Sequence, residues 1–94
     1  MDPKGKQNRK WLETVADIEG AVLLEGFDEA IAGVVSRGGK SPCAAYDQEI
    51  MLEVLLREGL TMEEAIEHFD FNVAGSWMGD RTPYILTKVD THGV

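Results

Sequence analysis

Apolar residues near the start of the chain recur at intervals of three or four residues. The series consists of Trp11, Val15, Ile18 and Val22, with polar residues between them. This spacing places the apolar side chains on one face of a helix, so it predicts an amphipathic helix over residues 8–20. Residues 1–7 lack such a pattern, and we expect them to form a flexible basic terminus.

Two further helices are predicted in the second half of the chain. Asp47 is a preferred N-cap residue ahead of QEIMLEVLLRE, which Gly59 ends. Only one narrow stripe of this segment is polar, so we expect the helix to be buried on most sides and to form the centre of the core. Thr61 and Glu64 then have the spacing of a capping box, which predicts a helix over LTMEEAIEHFDFN. Its apolar stripe would consist of Met62, Ala65, Ile66, Phe69 and Val73.

The remaining apolar segments favour strands. Residues 30–36 contain two adjacent valines and lead into a Gly, Lys, Ser, Pro cluster, which predicts a strand and a turn with residues 43–46 as the hairpin partner. A short helix capped by Asp28 is the alternative for residues 28–36. The segment YILTKV, residues 84–89, predicts a final strand. This order indicates an α+β fold, with a small, mainly antiparallel sheet of about three strands and two to three helices packed on one face.

The length of the chain predicts a single domain. Its 94 residues are too few to bury two independent cores, so we expect residues 1–94 to fold as one unit, with residues 8–20 as an added helix and residues 22–89 as the α+β core. The lone Cys43 cannot form an intrachain disulfide, and no apolar run has the length of a signal peptide or membrane span. These features predict a cytoplasmic protein without membrane contact.

The charge of the chain is strongly negative and unevenly distributed. The net charge is −8, and the first ten residues carry +3, which leaves −11 for residues 11–94. Nucleic-acid binding depends on basic residues that neutralise phosphates, so direct binding to nucleic acid is disfavoured. A basic protein or nucleoprotein complex is the more natural partner.

Motifs for nucleotide binding, metal binding and catalysis are incomplete. GVVSRGGKSP has one residue too many for a phosphate-binding loop, and Pro42 follows where a helix should begin. Glu64 and His68 have ligand spacing on one helix, but no motif joins them to Asp70, His92 or Cys43. Cys43 also lacks the sequence context of an activated nucleophile. We therefore predict neither a metal, nor a cofactor, nor an enzymatic activity.

Acidic residues on the second and third predicted helices form the main candidate binding surface. They are Glu49, Glu53, Glu63, Glu64, Glu67 and Asp70. Carboxylates three or four residues apart on a helix are about 5–6 Å apart between Cβ atoms, a spacing that a groove built for phosphates can accept. The alternative is a solvated face that only keeps the protein soluble.

The loop after the third predicted helix supplies a second set of candidate contacts. They are Asn72, Trp77, Asp80 and Arg81. A large apolar side chain in a loop either anchors the loop or belongs to a contact surface. A pocket near Asn72, Trp77 and Asp80 would instead indicate a small enzyme or ligand-binding protein. An exposed apolar patch would favour a homodimer or another homo-oligomer.

Three runs, EGFDEAIAGV, AYDQE and GLTMEEAIEHFDFNVAGSWMGDRTP, resemble a family of small proteins encoded in bacteriophage and prophage genomes. The resemblance covers roughly residues 22–86, and the matching positions are Glu25, Gly26, Asp28, Asp47, Asn72, Gly75, Trp77, Gly79, Thr82 and Pro83. It implies no catalytic residues, since the family has no established activity. It does imply a bacterial host cytoplasm, in which small acidic phage proteins bind host machinery. We therefore expect a non-enzymatic interaction protein that binds a basic surface of a host protein, for example an anti-CRISPR-like inhibitor that blocks nucleic-acid binding by a nucleoprotein complex.

Overall fold

Helices and a three-stranded sheet form an α+β structure, as the sequence predicts. The computed structural model describes residues 3–70 and 79–89. Its elements are α1 (Pro3–Glu13), a 3-10 helix (Asp28–Ala30), β1 (Ile31–Arg37), β2 (Lys40–Asp47), α2 (Gln48–Arg57), α3 (Met62–Phe69) and β3 (Tyr84–Leu86). The strands lie in the order β1-β2-β3.

The first two strands form the predicted hairpin. They pair in antiparallel register, with Val34 opposite Ala44 and Arg37 opposite Lys40. Gly39 has a φ of +75°, a left-handed conformation that glycine adopts without steric penalty. GVVSRGGKSP therefore lies in a strand, a tight turn and a second strand, and the prediction that it is not a helix-opening phosphate loop is consistent with this geometry. The short-helix alternative holds only for Asp28–Ala30, directly before β1.

The third strand pairs with β2 in parallel, so the sheet is mixed. Tyr46 lies opposite Ile85, and Asp47 lies opposite Leu86. Parallel neighbours need a long crossover connection, and α2 and α3 both lie within it. The predicted strand over residues 84–89 ends at Leu86, because β2 becomes α2 at Gln48 and offers no further backbone partner.

The N-terminal helix differs most from the sequence prediction. It spans Pro3–Glu13 instead of residues 8–20, so residues 3–7, predicted to be flexible, are helical. Leu12 is fully buried, whereas Trp11 is 51% exposed. Of the predicted apolar series only Trp11 lies in α1, and the buried face of this helix carries Gly5 and Leu12 instead. Proline is well suited to the first turn of a helix, which favours a start at Pro3.

Contacts with the 3-10 helix hold α1 in this position. Asn8 Nδ2 donates to the carbonyl oxygens of Asp28 and Glu29, each at 3.1 Å, and Arg9 pairs with the Asp28 carboxylate at 3.0 Å. Beyond α1, Asp17 has a φ of +65°, which ends any regular helix before residue 20. The helical periodicity of residues 15–22 thus belongs to a turn.

The core lies between the helices and one face of the sheet. It contains Leu12, Ala30, Ile31, Ala44, Tyr46, Met51 and Phe69. From α2 only Met51 and Leu55 are buried, while its other apolar residues are partly exposed. Each apolar residue of α2 is thus at least partly buried, as expected, and the exposed side chains of the helix are those of the predicted polar stripe, Glu49, Glu53 and Arg57.

Candidate functional site

The capping box at the start of α3 fixes the direction of its acidic residues. Glu64 N donates to Thr61 Oγ1 at 3.2 Å, and Thr61 N donates to Glu64 Oε1 at 2.9 Å. Hydrogen bonding to the Glu64 carboxylate, first from the backbone amide of Thr61 and then from its side chain, holds the pKa of Glu64 below its usual range. Ala65 and Phe69 are buried, so the opposite side of the helix faces outwards. The capping box was predicted from the sequence, and the structure confirms it.

Four of the six predicted partner-binding carboxylates surround one depression on α3. Glu63, Glu64, Glu67 and Asp70 are all exposed, and together with Ile66 they line a shallow depression of about 360 Å³. We call this surface the α3 acidic face. The helical spacing of these residues accounts for their proximity, since side chains three or four positions apart are neighbours.

The other two predicted carboxylates, Glu49 and Glu53, are exposed on α2. They are not in the lining of the α3 depression among the described residues. Their negative charges act instead on Lys88, beyond β3. The pKa of Lys88 is raised, chiefly by its contact with Asp47 and to a lesser degree by Glu49 and Glu53. The structure therefore does not join the two helices' carboxylates around one depression.

Ion pairs neutralise other acidic residues of the chain. Arg9 pairs with Asp28, Arg57 with Glu29, and Lys88 with Asp47 at 2.7 Å. Within residues 3–70 and 79–89, no ion pair involves any of the six predicted partner-binding carboxylates. The α3 acidic face thus keeps its negative charge towards solvent in this part of the chain.

Two exposed apolar residues adjoin the α3 acidic face. Met62 is 53% exposed and Ile66 is 46% exposed, one helical turn apart. The predicted apolar stripe is therefore buried only at Ala65 and Phe69, and its last member, Val73, lies outside the described residues. The helical positions of Met62 and Ile66 next to the glutamates could have indicated this, because a helix lying on a surface buries only a narrow stripe.

The structure describes two of the four predicted loop contacts. Asn72 and Trp77 lie outside the described residues. Asp80 is exposed, and its carbonyl oxygen accepts a hydrogen bond from Arg37 at 2.8 Å. The guanidinium of Arg81 donates to the backbone carbonyls of Asp17, Glu19 and Pro42. Arg81 therefore connects its own segment to the turn after α1 and to β2, and its guanidinium donates its hydrogen bonds within the protein.

Cys43 is buried beside β1. Its Sγ lies 3.6 Å from Arg37 Nη2 and 3.5 Å from the carbonyl oxygen of Asp80. The thiol is fully enclosed, so it contributes to packing. Among the described residues no group of three or more His, Cys, Asp or Glu side chains has the proximity of a metal site. His68 lies exposed on α3, and His92 is outside the described residues.

The sheet face away from the helices forms a separate apolar groove. Side chains alternate along a strand, so Val35, Ala45, Tyr84 and Leu86 point away from the core. The groove measures about 280 Å³, and Tyr84 and Leu86 are 39% and 44% exposed. Arg37 stacks over the Tyr84 ring at 5.8 Å from its centroid. The groove is an exposed apolar patch of the kind that the sequence analysis associates with a homo-oligomer.

Comparison of the chain with protein families, curated proteins and solved structures gives no match. In the described residues, every helix is too short or too polar to cross a membrane. The proposed function therefore depends on the geometry and charge of the chain itself.

Proposed function

We propose that this protein is a non-enzymatic interaction protein that binds a basic surface of a host protein through the α3 acidic face. The observation that carries the proposal is the grouping of Glu63, Glu64, Glu67 and Asp70 around one depression. Lysine and arginine side chains of a partner would supply the opposite charges. Such complementarity raises the association rate and excludes partners of like charge.

The apolar edge of α3 supports the same proposal. Protein interfaces combine a desolvated apolar centre with a polar rim. Met62 and Ile66 are exposed beside the carboxylates, and Ile66 itself lines the depression. A partner would bury these two side chains while its basic residues meet Glu63 and Glu67. Charge alone would leave an interface with little apolar area to hold it together.

A more specific proposal identifies the class of partner. The phage resemblance of the sequence favours a bacterial nucleoprotein complex, and the protein would act as an anti-CRISPR-like inhibitor that occupies a nucleic-acid groove. The charge of −11 over residues 11–94 supports competition with nucleic acid, since both ligands would neutralise the same basic groove. This part rests on context and charge, and the α3 acidic face supplies its contact surface.

A differential pull-down tests the contact surface. Tagged wild-type protein is compared with the double variant Glu63→Lys/Glu67→Lys in bacterial lysate at low and high salt. Glu64 is left unchanged, because its carboxylate caps α3. A matched control, Glu25→Lys/Glu58→Lys, makes the same change in net charge at two exposed positions outside the face.

We expect the wild type and the control to retain a basic protein at low salt and to release it at high salt. The α3 variant should lose it under both conditions. If the wild type, the control and the α3 variant all recover the same proteins with the same salt dependence, the α3 acidic face is not the contact surface. The inhibitor proposal then requires that the captured partner bind its nucleic acid more weakly in the presence of wild type than of the α3 variant.

A further inference from the structure

A cleft of about 340 Å³ lies between α1 and the turn that follows it. We infer that this cleft binds an organic cation with an apolar body, such as an alkylammonium group. The cleft shares no lining residue with the α3 acidic face, so this inference stands independently of the proposed function.

Apolar and polar groups share the lining of the cleft, and the apolar part consists mainly of leucine and isoleucine side chains. Leu12 from α1 is fully buried, and Ile18 and Leu23 from the opposite wall pack against the core cluster. The volume lies within the range of about 300–1,000 Å³ that is usual for small-ligand sites. An aliphatic stem can therefore contact the accessible parts of Ile18 and Leu23, with Leu12 directly behind them, and leave a polar head at the rim.

The charges of the rim select a cation. Arg9 lines the cleft, but its Nη1 donates to the Asp28 carboxylate at 3.0 Å, so its positive charge is compensated. Glu13 and Glu19 line the same rim, are exposed, and take part in no ion pair within residues 3–70 and 79–89. An ammonium group placed between them gains favourable charge interactions, whereas an anionic head would be repelled.

The wall that carries Glu19 is held in place from within the protein. Arg81 donates through Nη1 to the carbonyl oxygen of Glu19 at 3.2 Å and through Nη2 to that of Asp17 at 3.0 Å. Ala21 N donates to the carbonyl oxygen of Ile18 at 3.0 Å, which closes the turn. The cleft is thus preorganised, and a ligand need not supply the free energy to order it.

A ligand of this chemistry has two sources, a free amine or a lysine side chain of a partner protein. Two-dimensional ¹H–¹⁵N NMR titration with hexylammonium chloride, and with neutral hexanol for comparison, tests the shared chemistry. We expect saturable shifts of the amides of residues 18–23 with hexylammonium and much weaker ones with hexanol. A titration with a capped Ala-Lys-Ala tripeptide separates the sources: binding as tight as that of hexylammonium assigns the site to a partner's lysine, and binding of hexylammonium alone assigns it to a free amine.

Neutral variants test the rim. Glu13→Gln/Glu19→Gln should weaken hexylammonium binding about threefold to tenfold, in line with partly exposed charge pairs. The control Glu25→Gln/Glu58→Gln makes the same change in net charge away from the cleft and should leave binding unchanged. Absence of saturable shifts at residues 18–23, equal affinity for hexanol, or equal weakening by both double variants would overturn the inference.

Discussion

Arg81 donates two hydrogen bonds to the carbonyl oxygen of Pro42, from Nε at 3.0 Å and from Nη2 at 2.7 Å. The same guanidinium reaches the carbonyls of Asp17 and Glu19, and the carbonyl of Arg81 accepts from Val22 N at 3.3 Å. One side chain thus ties the segment before β3 to β2 and to the turn after α1. This explains how the residues that flank the cleft stay in place without regular secondary structure.

Replacement of Arg81 should destabilise the whole protein. Arg81→Ala leaves three backbone carbonyls without their charged donor, and we expect a loss of about 2–3 kcal/mol in the free energy of unfolding. Arg81→Lys should recover less than half of this loss, because an ammonium cannot reproduce the planar fork of a guanidinium. Urea unfolding followed by circular dichroism measures both, with Lys6→Ala on the exposed side of α1 as the control. Equal stability of the Lys and Arg forms would contradict the geometric explanation.

Gly20 tests the contact of Arg81 with the turn. Gly20 has a φ of +88°, and a Cβ added there would lie 3.3 Å from Arg81 Nη1. Gly26 has nearly the same backbone, with a φ of +85°, but no atom of the described residues lies within 4 Å of its added Cβ. Both Ala variants should lose about 1 kcal/mol from backbone strain. Gly20→Ala should lose more, and this excess should disappear in an Arg81→Ala background, as a double-mutant cycle in urea would show.

The elements with local signals were predictable from the sequence. The capping box of Thr61 and Glu64, the N-cap at Asp47 and the hairpin turn before Lys40 each depend on residues a few positions apart. Physical rules for caps and turns act at this range, so the starts of α2 and α3 and the β1-β2 pairing follow from them.

The features that depend on distant contacts were not predictable in this way. The position of α1 depends on hydrogen bonds from Asn8 to the carbonyl oxygens of residues 28 and 29. The spacing of apolar residues along the chain does not reveal such bonds. The parallel direction of β3 results from the crossover through α2 and α3. The role of Arg81 depends on carbonyls far away in the chain, and the exposure of Met62 depends on how much of α3 the rest of the protein covers.

The buried Tyr46 makes stability sensitive to alkaline pH. Burial raises the pKa of Tyr46 above its ordinary value of 10.0, and the phenol oxygen accepts from Leu24 N at 2.9 Å. A raised pKa in the folded state stabilises the protein below pH 10, and this stabilisation is lost as the pH rises from there through the folded-state pKa. Tyr46→Phe should cost about 1–3 kcal/mol at pH 7, because the amide of Leu24 loses its acceptor. Above pH 10 the variant should lose stability less steeply than the wild type, as urea midpoints from pH 8 to 11 would show. Parallel curves would contradict this.

Protonation of Asp47 should account for part of the loss of stability at acidic pH. Burial raises the pKa of Asp47, but the ammonium of Lys88 and the amides of Ile50 and Glu49 together lower it by more, so it lies below its ordinary value of 3.8. A lowered pKa in the folded state contributes stability above pH 3.8, which is lost as the pH falls through the folded-state pKa. Asp47→Asn keeps an N-cap side chain but removes the charge. Its free energy of unfolding should therefore fall less between pH 5 and 2 than that of the wild type, and an equal fall would assign the acid response to other carboxylates.

Glu67, one carboxylate of the α3 acidic face, should lower the stability of the helix that carries it. Glu63 and Glu67 are like charges four residues apart, and Glu67 lies in the last turn, where the helix dipole disfavours a negative charge. Glu67→Gln should therefore raise the free energy of unfolding by about 0.3–1 kcal/mol at low ionic strength. The gain should shrink in 1 M NaCl, because salt screens exposed charges. Urea midpoints at both salt concentrations measure it, with Glu25→Gln as the control. A loss of stability in Glu67→Gln would show that the glutamate has a stabilising partner, and it would then be less free to meet a basic surface of another protein.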